Sequence, residues 1–268
     1  MTPQTNLVSQ DVVPLPVQQA AYAQQLGTFL KAYRVSIGQV IAVIFVIIVF
    51  WGSGIYFLGS GLFERVDIGA KVASLVLGMI CLGVPIGAIH LQFGQNLSSV
   101  AQSIKRRIYL FQQGIVIDQA GQLQPFPWHQ TAEFWEDVFI STKGSHFTYT
   151  LRRLDGYQIK LTDMTKGIRE LGPVMAQGIT QALVPRAWQA LQSGQTLTFA
   201  PFSINQQGIG NGREWLPWSQ VQEITRREGR VSIKKVGMSQ AWGAALIPNC
   251  RVFTTMAEDL RQQAGGRS

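Results

Sequence analysis

Apolar residues are spread unevenly through this chain. Two stretches, Val35 to Phe63 and Val72 to Ile104, carry no Asp, Glu, Lys or Arg. Within them lie apolar runs at Ser36–Leu58 and Val72–Phe93, 23 and 22 residues long. Crossing ~30 Å of hydrocarbon as a helix takes roughly 20 such residues, so the runs predict two retained membrane-spanning helices. The first begins behind a polar tail and greatly exceeds the roughly 7–15 apolar residues of a signal-peptide core. Small residues recur at four-residue spacing: Gly38/Ala42 in the first helix, Ser74/Gly78 and Gly83/Gly87 in the second. Such spacing lets helix backbones approach closely. It serves either the packing of the two helices on each other or self-association with another copy.

Elsewhere the periodicity shortens. Residues 1–16 lack a pattern and are expected to be disordered; residues 17–34 suit a short helix leading into the first span. Beyond Ser103, alternating runs at 107–113, 114–118, 126–140, 146–153 and 157–162 predict strands, with an Asp155-Gly156 turn between the last two. A helix is expected from Pro173, broken at Pro185. The sequence then starts over. Gln112-Gln113-Gly114-Ile115 recurs as Gln206-Gln207-Gly208-Ile209, and Pro127-Trp128-His129-Gln130 as Pro217-Trp218-Ser219-Gln220. The second copy closes in a helix over 249–262 with Asn249 as its N-cap and Val252, Met256 and Leu260 on one face.

Strands closed by a C-terminal helix suit a barrel whose open end is plugged. The markers Tyr109, Gly114-Ile115, Phe199, Gly208-Ile209, Leu216-Pro217-Trp218, Ile233, Trp242 and Ile247-Pro248-Asn249, placed after two apolar spans, resemble an uncharacterised bacterial membrane-protein family of unknown function. That resemblance covers residues 36–262 and implies a pleckstrin-homology-like (PH-like) or GRAM-like cytoplasmic region, with no known activity. Alanine and proline at 200–201 depart from it, where a glycine is expected after Phe199. The fold class is therefore α+β: a two-helix transmembrane hairpin followed by PH-like β-barrel or β-sandwich repeats, each closed by a C-terminal helix. The expected divisions are an N-terminal tail (1–34), the hairpin (35–104, spans about 36–58 and 72–93), repeat 1 (105–193) and repeat 2 (194–268).

Charge adds an orientation. The formal net charge is +8, mostly contributed after the second span. Lys31 and Arg34 precede span one, and Lys105, Arg106 and Arg107 follow span two. Basic residues beside spans favour the cytoplasmic side, so both termini are placed there, in a multi-pass cytoplasmic-membrane protein. The anionic inner leaflet suits this basic region better than nucleic acid, for which no binding signature is present.

Candidate chemistry is sparse. The histidines (His90, His129, His146) lie in separate elements, and Cys81 and Cys250 are far apart in sequence, so neither a metal site nor a disulfide framework is expected. No Gly-x-Ser-x-Gly motif occurs, and the glycines of 208–212 lead into a strand instead of a helix N-terminus. The acidic group Glu133, Glu136 and Asp137 reads as a solvated strand face. Trp128, Trp135, Trp218 and Trp242 read as core anchors. One cluster invites binding: Arg226, Arg227 and Arg230 around a Glu228-Gly229 turn, with Lys234 and Lys235 beyond it. The expectation is a non-catalytic, membrane-anchored binding or scaffold protein without cofactors, engaging a partner protein, a peptide or anionic lipid headgroups. The alternative is an oligomeric structural or transport-accessory subunit, a homo-oligomer in the membrane.

Overall fold

The protein is described from a computed structural model, over residues 13–35, 37–63, 67–93, 106–142, 144–237 and 241–265. It divides into two compact units, one comprising Met1–Tyr33, Ile108–Ile117 and Leu123–Ser268, the other Arg34–Arg107 and Asp118–Gln122.

The smaller unit is dominated by two helices, α2 (Ile37–Phe63) and α3 (Ile68–Phe93). At 1.5 Å per residue, each is about 40 Å long. They pack antiparallel through glycines. A Cβ at Gly54 would sit 3.2 Å from the Gly78 carbonyl oxygen, and one at Gly61 would sit 3.3 Å from that of Lys71. Gly78, from the small-residue pattern, therefore lies at this contact, and Ser74 beside it is half-buried. Gly38 and Gly83 have nothing within 4 Å of a Cβ, while the side-chain position of Ala42 and the surroundings of Gly87 lie outside the described set. Among the described residues, no helix is long and apolar enough to cross a membrane. That set omits the side chains of residues 37, 39–44, 46, 47, 63 and 84–93, which belong to the two uncharged stretches of the sequence.

The larger unit is built twice from one plan. A helix α1 (Leu15–Ala23) leads to strand β1 (Phe29–Arg34), where the sequence pattern suggested only a helix. Gln25, with φ +53°, and Gly27, with φ +77°, turn the chain out of α1. β1 then joins β2 (Arg106–Phe111), β3 (Gly114–Gln119) and β4 (Gln122–Pro127) in a four-stranded sheet of order β1-β2-β3-β4. Gln112 N–H donates to the Thr28 carbonyl and Gln113 N–H to that of Leu26, so the start of β1 meets the end of β2. The whole apolar insert thus lies between two neighbouring strands of one sheet. A 3-10 turn (Trp128–Gln130) interrupts what the alternation suggested was one strand, and leads into β5 (Thr131–Ser141), β6 (Gly144–Arg153) and β7 (Gln158–Leu161). These form a second, three-stranded antiparallel sheet.

The second half repeats the order: β8 (Leu197–Phe199), β9 (Phe202–Ile204), β10 (Gly208–Gly210) and β11 (Trp215–Pro217), a 3-10 turn (Trp218–Gln220), then β12 (Val221–Arg227), β13 (Arg230–Lys235) and β14 (Ala241–Leu246), and α5 (Cys250–Gly265). Among the described residues all four sheets are open and no barrel closes. The recurring sequence markers have a physical reason. Trp128 N–H donates to the Gln113 carbonyl (2.9 Å) and Trp218 N–H to that of Gln207 (3.3 Å). A Cβ on Gly114 would stand 2.6 Å from the Phe126 carbonyl oxygen, and one on Gly208 2.1 Å from that of Leu216. Only glycine allows the strands to approach this closely.

Helix α4 (Ile168–Gln192) joins the halves, running unbroken through Pro173 and Pro185. The expected break at Pro185 does not occur, because packing outweighs the lost donor. Leu171, Met175, Ala176 and Ile179 enter the first core, Leu191 enters the second, and Leu183 touches both. Val174, on the opposite side of the helix, is exposed. The first core gathers Ile108, Ile115, Phe126, Trp128 and Leu151; the second gathers Phe202, Ile204, Val231, Ile233, Phe253 and Met256. A third cluster lies under α1, where Val17, Ala21 and Leu26 cover Tyr109, Phe111 and Val116. With both faces of β2 covered, four successive residues, Ile108–Phe111, are all buried.

Candidate functional site

The basic cluster lies on the β12–β13 hairpin, and its residues divide between two faces. Register pairs Arg226 with Val231, Arg227 with Arg230, and Glu223 with Lys234. Alternation along the strands then sets Arg227, Arg230 and Lys234 on the outward face, with Thr225 Oγ1 and Ser232 Oγ hydrogen-bonded between them at 2.6 Å. The Arg227 side chain is 90% exposed. Arg226 and Lys235 are engaged elsewhere: Lys235 Nζ pairs with Glu214 at 3.0 Å, and Arg226 Nη1 lies 3.8 Å from Glu136 Oε2.

Glu136 departs from the reading of a solvated acidic face. It is buried and sits where the two halves meet. Arg251 donates to it from Nη2 (3.0 Å) and Nε (3.2 Å), and the Cys250 thiol donates to Oε2 at 2.9 Å. Burial, followed by the Glu136 charge, pushes the Cys250 thiol up to about 12, so it stays protonated and unreactive at neutral pH. Burial, with a further contribution from Glu136, also lifts Tyr149 to about 12. Glu133 pairs with Arg152, and Asp137 is exposed.

Two further contacts fasten the halves. Asn249, expected as a helix N-cap, has φ +51° and turns its side chain away from its own helix. Its Oδ1 accepts from Phe134 N–H (3.0 Å), its Nδ2 donates to the Ala132 carbonyl (2.9 Å), and its own N–H donates to the Phe134 carbonyl (2.7 Å). The Ile-Pro-Asn marker is therefore a clamp on strand β5. Gly229, at the hairpin turn, completes the joint: a Cβ there would fall 1.5 Å from the Glu136 carbonyl oxygen. The spacing of residues in sequence gave no sign of this joint, because its partners come from opposite halves.

A shallow cleft of about 500 Å³ lies among Gln24, Gln124, Gln130, Arg153 and Asp155. Arg153 is already committed, donating to both Asp155 oxygens and to the Pro125 carbonyl. Its hydrogen bonds hold the Asp155 carboxyl down to about 2. What remains for a ligand is a row of amides. Trp128 and Trp218 are buried anchors, each donating its indole N–H to a backbone carbonyl (Gln112, 3.2 Å; Asn205, 3.0 Å). Trp242 stacks on Phe202, and half-buried Trp135 donates to Glu133. Among the described residues, no group of three or more His, Cys, Asp or Glu could hold a metal ion.

A family model of unknown function, DUF6585, matches residues 3–265. The chain belongs to that family. No curated protein and no solved structure matches it. Membership therefore accounts for nearly the whole chain, both halves and the apolar insert together, without assigning an activity.

Proposed function

We propose that this DUF6585 protein is a non-catalytic, membrane-anchored binding or scaffold protein, with two PH-like modules tethered by the α2–α3 hairpin. The carrying observation is the outer face of that hairpin. Phe45, Ile48, Trp51, Ile55, Val72, Met79 and Ile80 are all exposed, far more contiguous apolar surface than a water-facing helix pair sustains. The full runs, including residues outside the described set, have the length and composition a bilayer requires. Pairing of β1 with β2 supports an even number of spans, because a hairpin insert leaves and returns on one side. Lys105–Arg107 make that side cytoplasmic.

The four-plus-three strand order with a closing helix supports the PH-like reading of each half. The ligand surface is the outward face of β12–β13, where Arg227, Arg230 and Lys234 meet anionic lipid headgroups or an acidic partner; each charge beside an anionic leaflet contributes ~1 kcal/mol. The test has two readings. Alkaline carbonate washing of native membranes should leave the chain in the pellet, and its release would remove the anchor. Full-length protein in neutral nanodiscs should bind a soluble polyanionic headgroup, and Arg227→Glu, Arg230→Glu and Lys234→Glu together should abolish that binding. Equal binding by the triple variant would remove this surface.

Gly38 and Gly83, open in the hairpin, favour a second reading: a homo-oligomeric structural or transport-accessory subunit. Crosslinking in native membranes that captures only single chains would eliminate it.

A further inference from the structure

We infer that the tip of the β5–β6 hairpin is a second membrane contact, inserting Phe139 and Ile140 into the lipid interface; this rests on the membrane reading of α2–α3. Phe139 and Ile140 are 57% and 58% exposed, close to the Ser141–Gly144 end of a hairpin longer than its counterpart β12–β13. Two adjacent large apolar side chains at a protruding turn suit the boundary between headgroups and acyl chains, where apolar groups bury to a depth of about 5–10 Å.

Contacts within the larger unit show which end of the first half this tip occupies. Strand β1 runs from Phe29 to Arg34, and only Val35 and Ser36 separate it from α2. Near that end, Gly167 lies against the Tyr33 ring, and Lys31 Nζ pairs with Glu170 at 2.6 Å. The loop from β7 to α4 is therefore at the end where the chain departs for the membrane. That same loop holds the hairpin: Asp163 accepts from Phe147 N–H (3.0 Å) and meets His146 Nδ1 (3.2 Å), while Arg169 covers the Phe147 ring at 5.2 Å. Val138 pairs with Phe147 and Ile140 with Ser145. The tip thus continues past this loop by two to three residues, roughly 7–10 Å at strand rise. The opposite end of the first half carries Gln112, Gln113 and the Leu154-Asp155-Gly156 turn, joined by Leu154 N–H to the Gln130 carbonyl.

The test uses full-length protein in liposomes, with nitroxide labels placed singly in a Cys81→Ala background; the buried Cys250 thiol is left in place. Ile48→Cys reports on α2, Ile140→Cys on the tip, and Leu154→Cys, 64% exposed as leucine, on the far end. The expected result is a several-fold higher ratio of oxygen to aqueous nickel-complex accessibility at positions 48 and 140 than at 154. Position 48 in lipid with 140 as water-accessible as 154 overturns the tip contact and leaves the anchor standing. Position 48 in water overturns both. Position 140 is exposed, so its label should leave the far-ultraviolet spectrum unchanged and the fold intact.

Discussion

The two halves of the larger unit share one strand order and one Trp-headed turn, yet they join their first two strands by opposite means. In the second half β8 passes to β9 through Ala200 and Pro201 alone; in the first, residues 35–105 intervene between β1 and β2. A sheet of this kind is indifferent to what connects adjacent strands, provided the connection leaves and returns at one edge. Long insertions are cheap for the same reason, since loop-closure entropy grows only slowly with length. The halves differ also in how they cover their outer faces. Val116 lies beneath α1, whereas its counterpart Gly210 lies beneath the Trp215 ring, where a Cβ would come within 2.6 Å. A single side chain in one half does the work of a helix in the other.

The comparison can be broken most forcefully by making the first half resemble the second. Replacing residues 35–105 with a two-residue turn should give a protein in which both halves still fold, judged by size-exclusion chromatography and a cooperative melt; an unfolded or aggregated product would refute the equivalence. Next in size is the joint between halves. Gly229→Val places a side chain against the Glu136 backbone at positive φ and should destabilise by about 3 kcal/mol or more, splitting the calorimetric transition in two. Asn249→Ala removes two side-chain hydrogen bonds from β5 and should cost about 2 kcal/mol in a denaturant melt.

Alkaline stability probes the same joint more gently. Burial and the Glu136 charge raise the folded Cys250 thiol to about 12 from an ordinary 9.0. Its raised value contributes stability that is fully present below pH 9 and declines as pH rises towards 12. Cys250→Ala should flatten that part of the stability profile. The smallest effect is expected at Thr131, buried without a hydrogen-bond partner for Oγ1 among the described residues. Its counterpart after the second 3-10 turn is Val221, so Thr131→Val should be neutral or stabilising by up to about 1 kcal/mol.

What the sequence disclosed follows from the range of the forces involved. The duplication was legible because Gly114 and Gly208, Trp128 and Trp218 answer local demands of a tight strand crossing. The Asp155-Gly156 and Glu228-Gly229 turns were visible likewise, as was the buried stripe Val252, Met256 and Leu260. Strand β1 was not, because Phe29–Arg34 acquires its partner only from residues beyond the insert. The unbroken α4 was hidden too, since local rules at Pro185 yield to packing against two cores. The role of Glu136 could not be read from its acidic neighbours; its partners Arg226, Cys250 and Arg251 lie about a hundred residues away.

Placement of the helical insert between β1 and β2 also sets an order of events during synthesis. Strand β1 leaves the ribosome before α2 and must wait, its edge unpaired, until β2 follows α3. If α2 and α3 fail to fold back on each other, that pairing cannot occur. Closure of the first sheet therefore waits on the whole insert, and a chain whose two ends are not brought back together is left with an open strand edge.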